Sequence, residues 1–349
     1  MDRREFLTAA GAALVTAGCQ NEKPAKDSRL RGTELPVPTE AQRAKRRPDR
    51  ESTVALVPCE NYDDQIFDHL KKYLTQVNLP DLKGKRVVLK PNMVEVQPGH
   101  PITTNPYMLA AAVKFADYLG AKEIIVAEGP GHMRDTEMLL KKSGLGEMIS
   151  KLGVPFIDLN LDDLETVAIV DSFTGLKKVY MPKTIITAEA VISLPKLKTH
   201  HWVGATCAMK NLFGTVPGRK YGWPKNLLHV KGIPRWILDL QDIVKPKFAI
   251  VDAIVAMEGD GPIMGTAINT HFIAMGDDLA AVDATCIRCM EFTLDQVPYI
   301  KLAGEVVGNV DEGNIKIVGA SIASLKRPFA KPITMTDPAL ASNAGRQGG

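Results

Sequence analysis

Cysteine is scarce, with five in 349 residues. Cys19, Cys59, Cys207, Cys286 and Cys289 lie too far apart for the closely spaced run of a ferredoxin-type iron–sulfur module. Aromatic residues make up only 6% and the net charge is +3, and the basic residues are not gathered into one run, which excludes a nucleic-acid binder. The sequence has neither a G-x-G-x-x-G fingerprint nor the Lys-Ser/Thr of a P-loop. It also lacks a G-x-S-x-G elbow, and Cys207 has no base at a fixed spacing, so a serine or cysteine nucleophile has no support. The apolar stretch nearest the N-terminus, Thr8–Gly18, is too short and too rich in Ala and Gly to span a bilayer as a stable helix.

What is present is globular: 45% hydrophobic and 24% charged residues, enough for one large core or two smaller lobes. There is no internal repeat and no interior break. Asp2-Arg3-Arg4-Glu5-Phe6-Leu7 with the mild apolar segment behind it resembles a twin-arginine (Tat) export signal. Such signals imply passage of an already folded chain through the Tat machinery, often with a cofactor loaded beforehand. Thr16-Ala17-Gly18-Cys19 resembles a lipobox that would make Cys19 a lipid anchor, whereas Val15-Thr16-Ala17 would suit ordinary cleavage. The expected division is a signal over 1–19, a flexible linker over 20–50, a single α/β domain over 51–325 and a disordered tail over 326–349. The expected location is periplasmic or at the cell envelope.

Along the domain, short apolar strands alternate with helical patterns, which implies a mostly parallel sheet with helices on both faces. Strands are expected at 53–57, 86–90, 123–127, 154–159, 190–194, 247–255, 272–275 and 315–318. Helices are expected at 62–77, at 107–119 with Asn105 as N-cap and Pro106 at its first position, from 135, across 210, at 233–244, 279–292 and 294–307. The segment 162–181, centred on Ser172-Phe173-Thr174-Gly175, reads as a β-hairpin insertion. Cys286 and Cys289 fall at i, i+3 inside a helix. That suits buried small hydrophobes, and leaves a disulfide or half a metal site as alternatives.

Chemistry concentrates between Val191 and His229. The strand Ala190–Leu194 runs through Pro195 into Lys196, Lys198, Thr199, His200 and His201, and the following helix carries Lys210 and Asn211. Cationic and imidazole donors at a strand end suit an anionic small molecule. A second turn, Glu128-Gly129-Pro130-Gly131-His132, joins a strand to a helix and would let backbone N–H groups approach a phosphate or carboxylate. A third, around Asp252, Glu258, Gly259, Asp260 and Gly261, combines carboxylates with flexible backbone. Glu258 and His200 are the candidate proton-transfer groups. Lys196, Lys198, Thr199, Lys210, Asn211, Gly129, Gly131 and His132 are the candidate anion-binding residues. Asp252 and Asp260 are candidate ligands for a hard cation. Adjacent His200 and His201 cannot both face one ligand, so one of them is structural.

Four ordered motifs, Leu89-Lys90-Pro91-Asn92, Pro195-Lys196-Leu197-Lys198-Thr199-His200, Met209-Lys210-Asn211-Leu212-Phe213-Gly214 and Asp252-Ala253 with Met257-Glu258-Gly259 and Gly261-Pro262, resemble the DUF362 family. The resemblance spans about Val54 to Gly319. It implies the α/β fold but no activity, since the family is uncharacterised. Some members carry a ferredoxin module, which this chain lacks. Gly129-Pro130-Gly131-His132-Met133-Arg134 with Thr136-Glu137, and His201, Gly204, Lys210 and Pro217-Gly218, are more distantly similar to the lactate-racemase family, at a different spacing. In that family, such residues hold a nickel-pincer nucleotide cofactor and its substrate.

Together these readings give an exported enzyme that binds an anionic small molecule or a phosphate-bearing cofactor. The alternative is a non-catalytic metal- or cofactor-carrying electron-transfer or binding module at the membrane. The cofactor stays open between a metal and a phosphate-bearing group.

Overall fold

A computed structural model describes residues 35–46, 51–131, 135–222, 225 and 232–336. The export signal with Cys19, His132, Trp223 and His229 lie outside the described residues. The described residues form twelve strands: β1 Ser52–Pro58, β2 Arg86–Pro91, β3 Glu123–Glu128, β4 Phe156–Asp158, β5 Leu164–Ala168, β6 Lys178–Pro182, β7 Ala190–Leu194, β8 Lys196–His200, β9 Gly204–Thr206, β10 Phe248–Glu258, β11 Thr266–Gly276 and β12 Ile315–Gly319. Ten form one sheet in the order β12-β1-β11-β10-β7-β2-β3-β4, with β8 and β9 branching from β10. The β10/β7/β2/β3/β4 run and the β1/β12 pair are parallel, and β11 enters antiparallel between β1 and β10. The sheet is therefore mostly parallel, as expected.

Alternation along the strands explains the two cores. Val54 and Leu56 of β1, Val88 of β2 and Val191 of β7 face one side, with the Ile233–Val244, Leu279–Cys289 and Pro298–Val306 helices. Ala55, Val57, Val87, Leu89, Ala190 and Ile192 face the other, with the Ile66–Lys71, Pro106–Tyr118 and Leu145–Leu152 helices. Successive residues of a strand point to opposite faces, so a sheet covered on both sides needs apolar residues at every position. The helix starts follow their caps. The Asn105 side chain accepts the Tyr107 N–H, with Pro106 next in line, and Asp278 accepts the N–H groups of Ala280 and Ala281. The hairpin is β5 paired antiparallel with β6 in a separate two-stranded sheet.

Several boundaries differ from the sequence expectation. The helix expected over 62–77 is shortened to Ile66–Lys71 with a 3₁₀ turn at Leu74–Gln76. Asp63 accepts the Gln65 N–H in an Asx turn, which holds the entry out of the helix. The strand expected at 272–275 is eleven residues long, its first half hidden by the polar Asn269-Thr270-His271. Lys196–His200, expected only as donors beyond the end of the Ala190–Leu194 strand, is itself a strand. Pro195 ends β7, its carbonyl accepts the Asp252 N–H, and the chain rejoins the sheet alongside the longer β10.

Both flanking segments contribute contacts. Of the 20–50 linker, residues 35–46 include a capped turn at Glu40–Arg43, with Arg43 paired to Glu305 and Lys45 to Asp242. Of the tail, 326–336 packs on the domain: Ala330 N–H donates to Glu258, Ile333 N–H to Asp260, and the Thr334 hydroxyl to the His201 carbonyl. Among the described residues, no helix is long and apolar enough to cross a membrane.

Candidate functional site

The site begins with a lysine where the β2 pattern demands an apolar residue. Lys90 is fully buried and paired with Glu128 at the end of β3. Its ammonium also donates to the carbonyl of Pro91 (2.9 Å) and to Asn211 Oδ1 (3.2 Å). Asn211 returns the contact through Nδ2, to the Lys90 carbonyl (3.0 Å) and to Ser193 Oγ (3.1 Å) on β7. The network thus ties the carboxyl ends of β2, β3 and β7 to the turn that carries Lys210. Glycine is required here: a Cβ on Gly214 would collide with the Glu128 carboxylate and the Lys90 amine, and one on Gly129 would sit 2.8 Å from the Gly214 carbonyl. Asn160 fixes the Gly129–Gly131 turn, donating to the Pro130 carbonyl (3.1 Å) and accepting the Gly218 N–H (2.8 Å).

A second buried pair joins Lys196 of β8 to Asp252 of β10 at 2.6 Å. Asp252 also accepts from the Tyr62 hydroxyl (2.7 Å) and the Asn105 N–H (2.9 Å), and is fully buried. These three partners occupy both of its oxygens. Its observed work is to hold Tyr62, Lys196 and the start of the Pro106–Tyr118 helix together. The signal for this was the register Asp252↔Lys196, which only the strand nature of 196–200 could reveal.

Lys198 and Lys210 lack such partners among the described residues. Lys198 is fully buried and donates to the Ile102 carbonyl (2.8 Å). Lys210 is half-buried and sits over the Phe213 ring, 4.7 Å from its centroid. Among the described residues, neither meets a carboxylate within ion-pair distance. Burial, with Lys210 and Lys196 nearby, pushes the Lys198 ammonium well below its usual range. Burial and Lys90 bring Lys210 down to about 8. Lys225 donates to the Gly129 and Phe213 carbonyls at 2.9 and 3.2 Å, and burial brings it down to about 7.

The turn bearing Lys210 and Asn211 is one helical turn, Ala208–Asn211, rather than a longer helix. Asp283 caps it, accepting the N–H groups of Ala208 (2.7 Å) and Met209 (3.1 Å). Burial raises this carboxyl to about 7. Cys207, Cys286 and Cys289 beside it are free, buried thiols.

The structure therefore brings Lys196, Lys198, Lys210, Asn211 and Gly129 into one neighbourhood. It adds Lys90, Glu128, Tyr62 and Lys225, which were not singled out as site residues. The signal for Lys90 was a cation directly after the apolar run Val87–Leu89, inside the strand. Glu258 and Asp260 instead hold the 326–336 segment. Thr199 donates to the Gly259 carbonyl at 2.7 Å, so its hydroxyl supports that loop. His201 Nδ1 lies 2.7 Å from the Gly261 carbonyl and acts as donor. His200 Nδ1 accepts the Trp202 N–H at 3.1 Å. Gly131 has open space around it. Among the described residues, no three His, Cys, Asp or Glu side chains group as metal ligands.

The fold and site define an α/β protein with a mostly parallel sheet and a cluster of buried lysines at its carboxyl strand ends. The chain belongs to the DUF362 family, described as a domain of unknown function, which it matches over residues 87–288. It is similar to the thylakoid-associated protein sll1697 of Synechocystis, 29% identical over 219 residues. That match covers 62% of this chain and 66% of the relative, just under two thirds of its length. Among solved structures, the lactate racemase apoprotein of Thermoanaerobacterium thermosaccharolyticum aligns at 12% identity and a TM-score of 0.44, over 74% of this chain and 61% of that one. A Thermotoga maritima protein aligns at 13% and 0.36, over 66% and 60%.

Proposed function

We propose that this chain binds an anionic small molecule or a phosphate-bearing cofactor at the strand ends, with Lys198 and Lys210 as the groups that meet the anion. The observation that carries this reading is the contrast within one cluster. Lys90 and Lys196 each have a buried carboxylate, while Lys198 and Lys210 have none among the described residues. An unpaired buried ammonium costs several kcal/mol, and an anion placed between such groups offsets that cost. Glycines 129 and 214 keep the backbone close to the cluster, as anion sites require. Thermal unfolding with and without sulfate, phosphate and small carboxylates tests it: an anion should raise the melting temperature in a saturable way. Lys198→Met and Lys210→Met should each weaken that effect while the protein stays folded. Undiminished stabilisation in both folded variants rejects the assignment.

We also propose that the chain is exported through the twin-arginine route, a reading supported by Arg3-Arg4 and the segment behind them. Cell fractionation tests it.

A further inference from the structure

We propose that Lys198 is a nucleophilic amine that forms an imine with an anionic carbonyl compound, a 2-oxo acid being the class that sets a carboxylate for Lys210 beside the carbonyl. This rests on the anion-binding reading and adds a covalent step to it. Every other lysine of the cluster is engaged. Lys90 and Lys196 are held by carboxylates, Lys225 by backbone carbonyls, and Lys210 by the Phe213 ring. Among the described residues Lys198 makes one hydrogen bond, to the Ile102 carbonyl, which uses one N–H and leaves the rest of the amine uncommitted there. Burial and surrounding cations favour the free base, the form that attacks a carbonyl carbon.

The neighbourhood supplies polar atoms for such a step. Thr206 lies opposite Lys198 in the β8/β9 register, and its buried hydroxyl has no hydrogen-bond partner among the described residues. Asn92 Oδ1 is likewise buried and unpartnered. Its backbone N–H donates to Thr104, two residues from the Ile102 carbonyl that holds Lys198. Lys210 provides the charge for the carboxylate. In the reaction the amine lone pair attacks the carbonyl carbon and the C–N bond forms. The two protons of the amine pass to the carbonyl oxygen, the C–O bond breaks, and the oxygen leaves as water. One amine and one carbonyl give one imine and one water, with no redox change.

The test incubates the full chain with pyruvate and cyanoborohydride near pH 7, where the reductant traps the imine as a stable secondary amine. Peptide mass spectrometry then maps the adduct. The expected result is modification of Lys198 at least about tenfold faster than exposed Lys83 and Lys122, with suppression by sulfate. Sulfate and lactate binding, followed by calorimetry on the same protein, reports the anion site separately. Anion binding with no preferential adduct on Lys198 overturns the imine and leaves the anion site standing. No anion binding and no adduct overturns both. The mapping uses the wild-type chain, so it does not depend on a variant folding. Lys198→Arg, which keeps a cation but cannot form the imine, should lose the adduct.

Discussion

Anion affinity should fall with pH, and the lysines that meet the anion set the fall. Lys210 sits at about 8, against an ordinary value of 10.5. It must be protonated to attract an anion. Below pH 7 it carries its charge. Above 8 a proton must be taken up on binding, a loss of about tenfold per pH unit. From pH 6.5 to 9 Lys210 alone should lower the affinity by about tenfold, or ~1.4 kcal/mol, and Lys198, pushed down as well, adds to the fall. Sulfate is the right probe because it keeps its charge across this range. Isothermal calorimetry in buffers of different ionisation enthalpy should also show net proton uptake above pH 7.

Stability should move the other way. A lysine whose folded value is depressed binds fewer protons folded than unfolded between about 7 and 10.5. The penalty is fully present below pH 7 and is relieved as pH rises through that window. For Lys225 the relief approaches ~5 kcal/mol. A sulfate affinity flat from pH 6.5 to 9, with no proton uptake, would refute the reasoning.

Three further outcomes follow from other contacts. Lys90→Met leaves Glu128 buried without its partner and should cost about 3–5 kcal/mol, read as a melting temperature lower by about 10 °C, and Lys90→Met with Glu128→Leu should recover much of it. Asp283→Ala removes the acceptor for the Ala208 and Met209 N–H groups, so stability should fall by about 1–3 kcal/mol per stranded donor in chemical denaturation, with weaker sulfate binding because Lys210 loses its support. Arg3→Lys with Arg4→Lys should leave the chain in the cytoplasmic fraction of a Tat-competent host, as immunoblotting would show.

The layered fold was legible because its signals are local. Asn105-Pro106 and Asp278 mark helix starts, and runs such as Val87–Leu89 mark strands buried on both faces. The strand β8 was not legible, because Lys196, Lys198 and His200 read as solvated donors until Asp252 is placed beside Lys196. The same holds for the roles of the carboxylates. Glu258 and Asp260 sit in a glycine-rich loop with every local mark of a reactive turn, yet their hydrogen bonds go to residues some seventy positions away. Sequence locates charge. Which charge is paired depends on contacts between distant strands, and that decides which lysines are left for a ligand.

The position of β1 has a consequence for synthesis. This first strand lies between β11 and β12, and its register on both is set by residues 266–276 and 315–319. While the ribosome is still making the middle of the chain, the apolar β1 has neither neighbour and both of its edges are open. Contacts this far apart in sequence slow folding and expose intermediates to aggregation. Both edges of β1 are therefore covered only after residues 315–319 have been made.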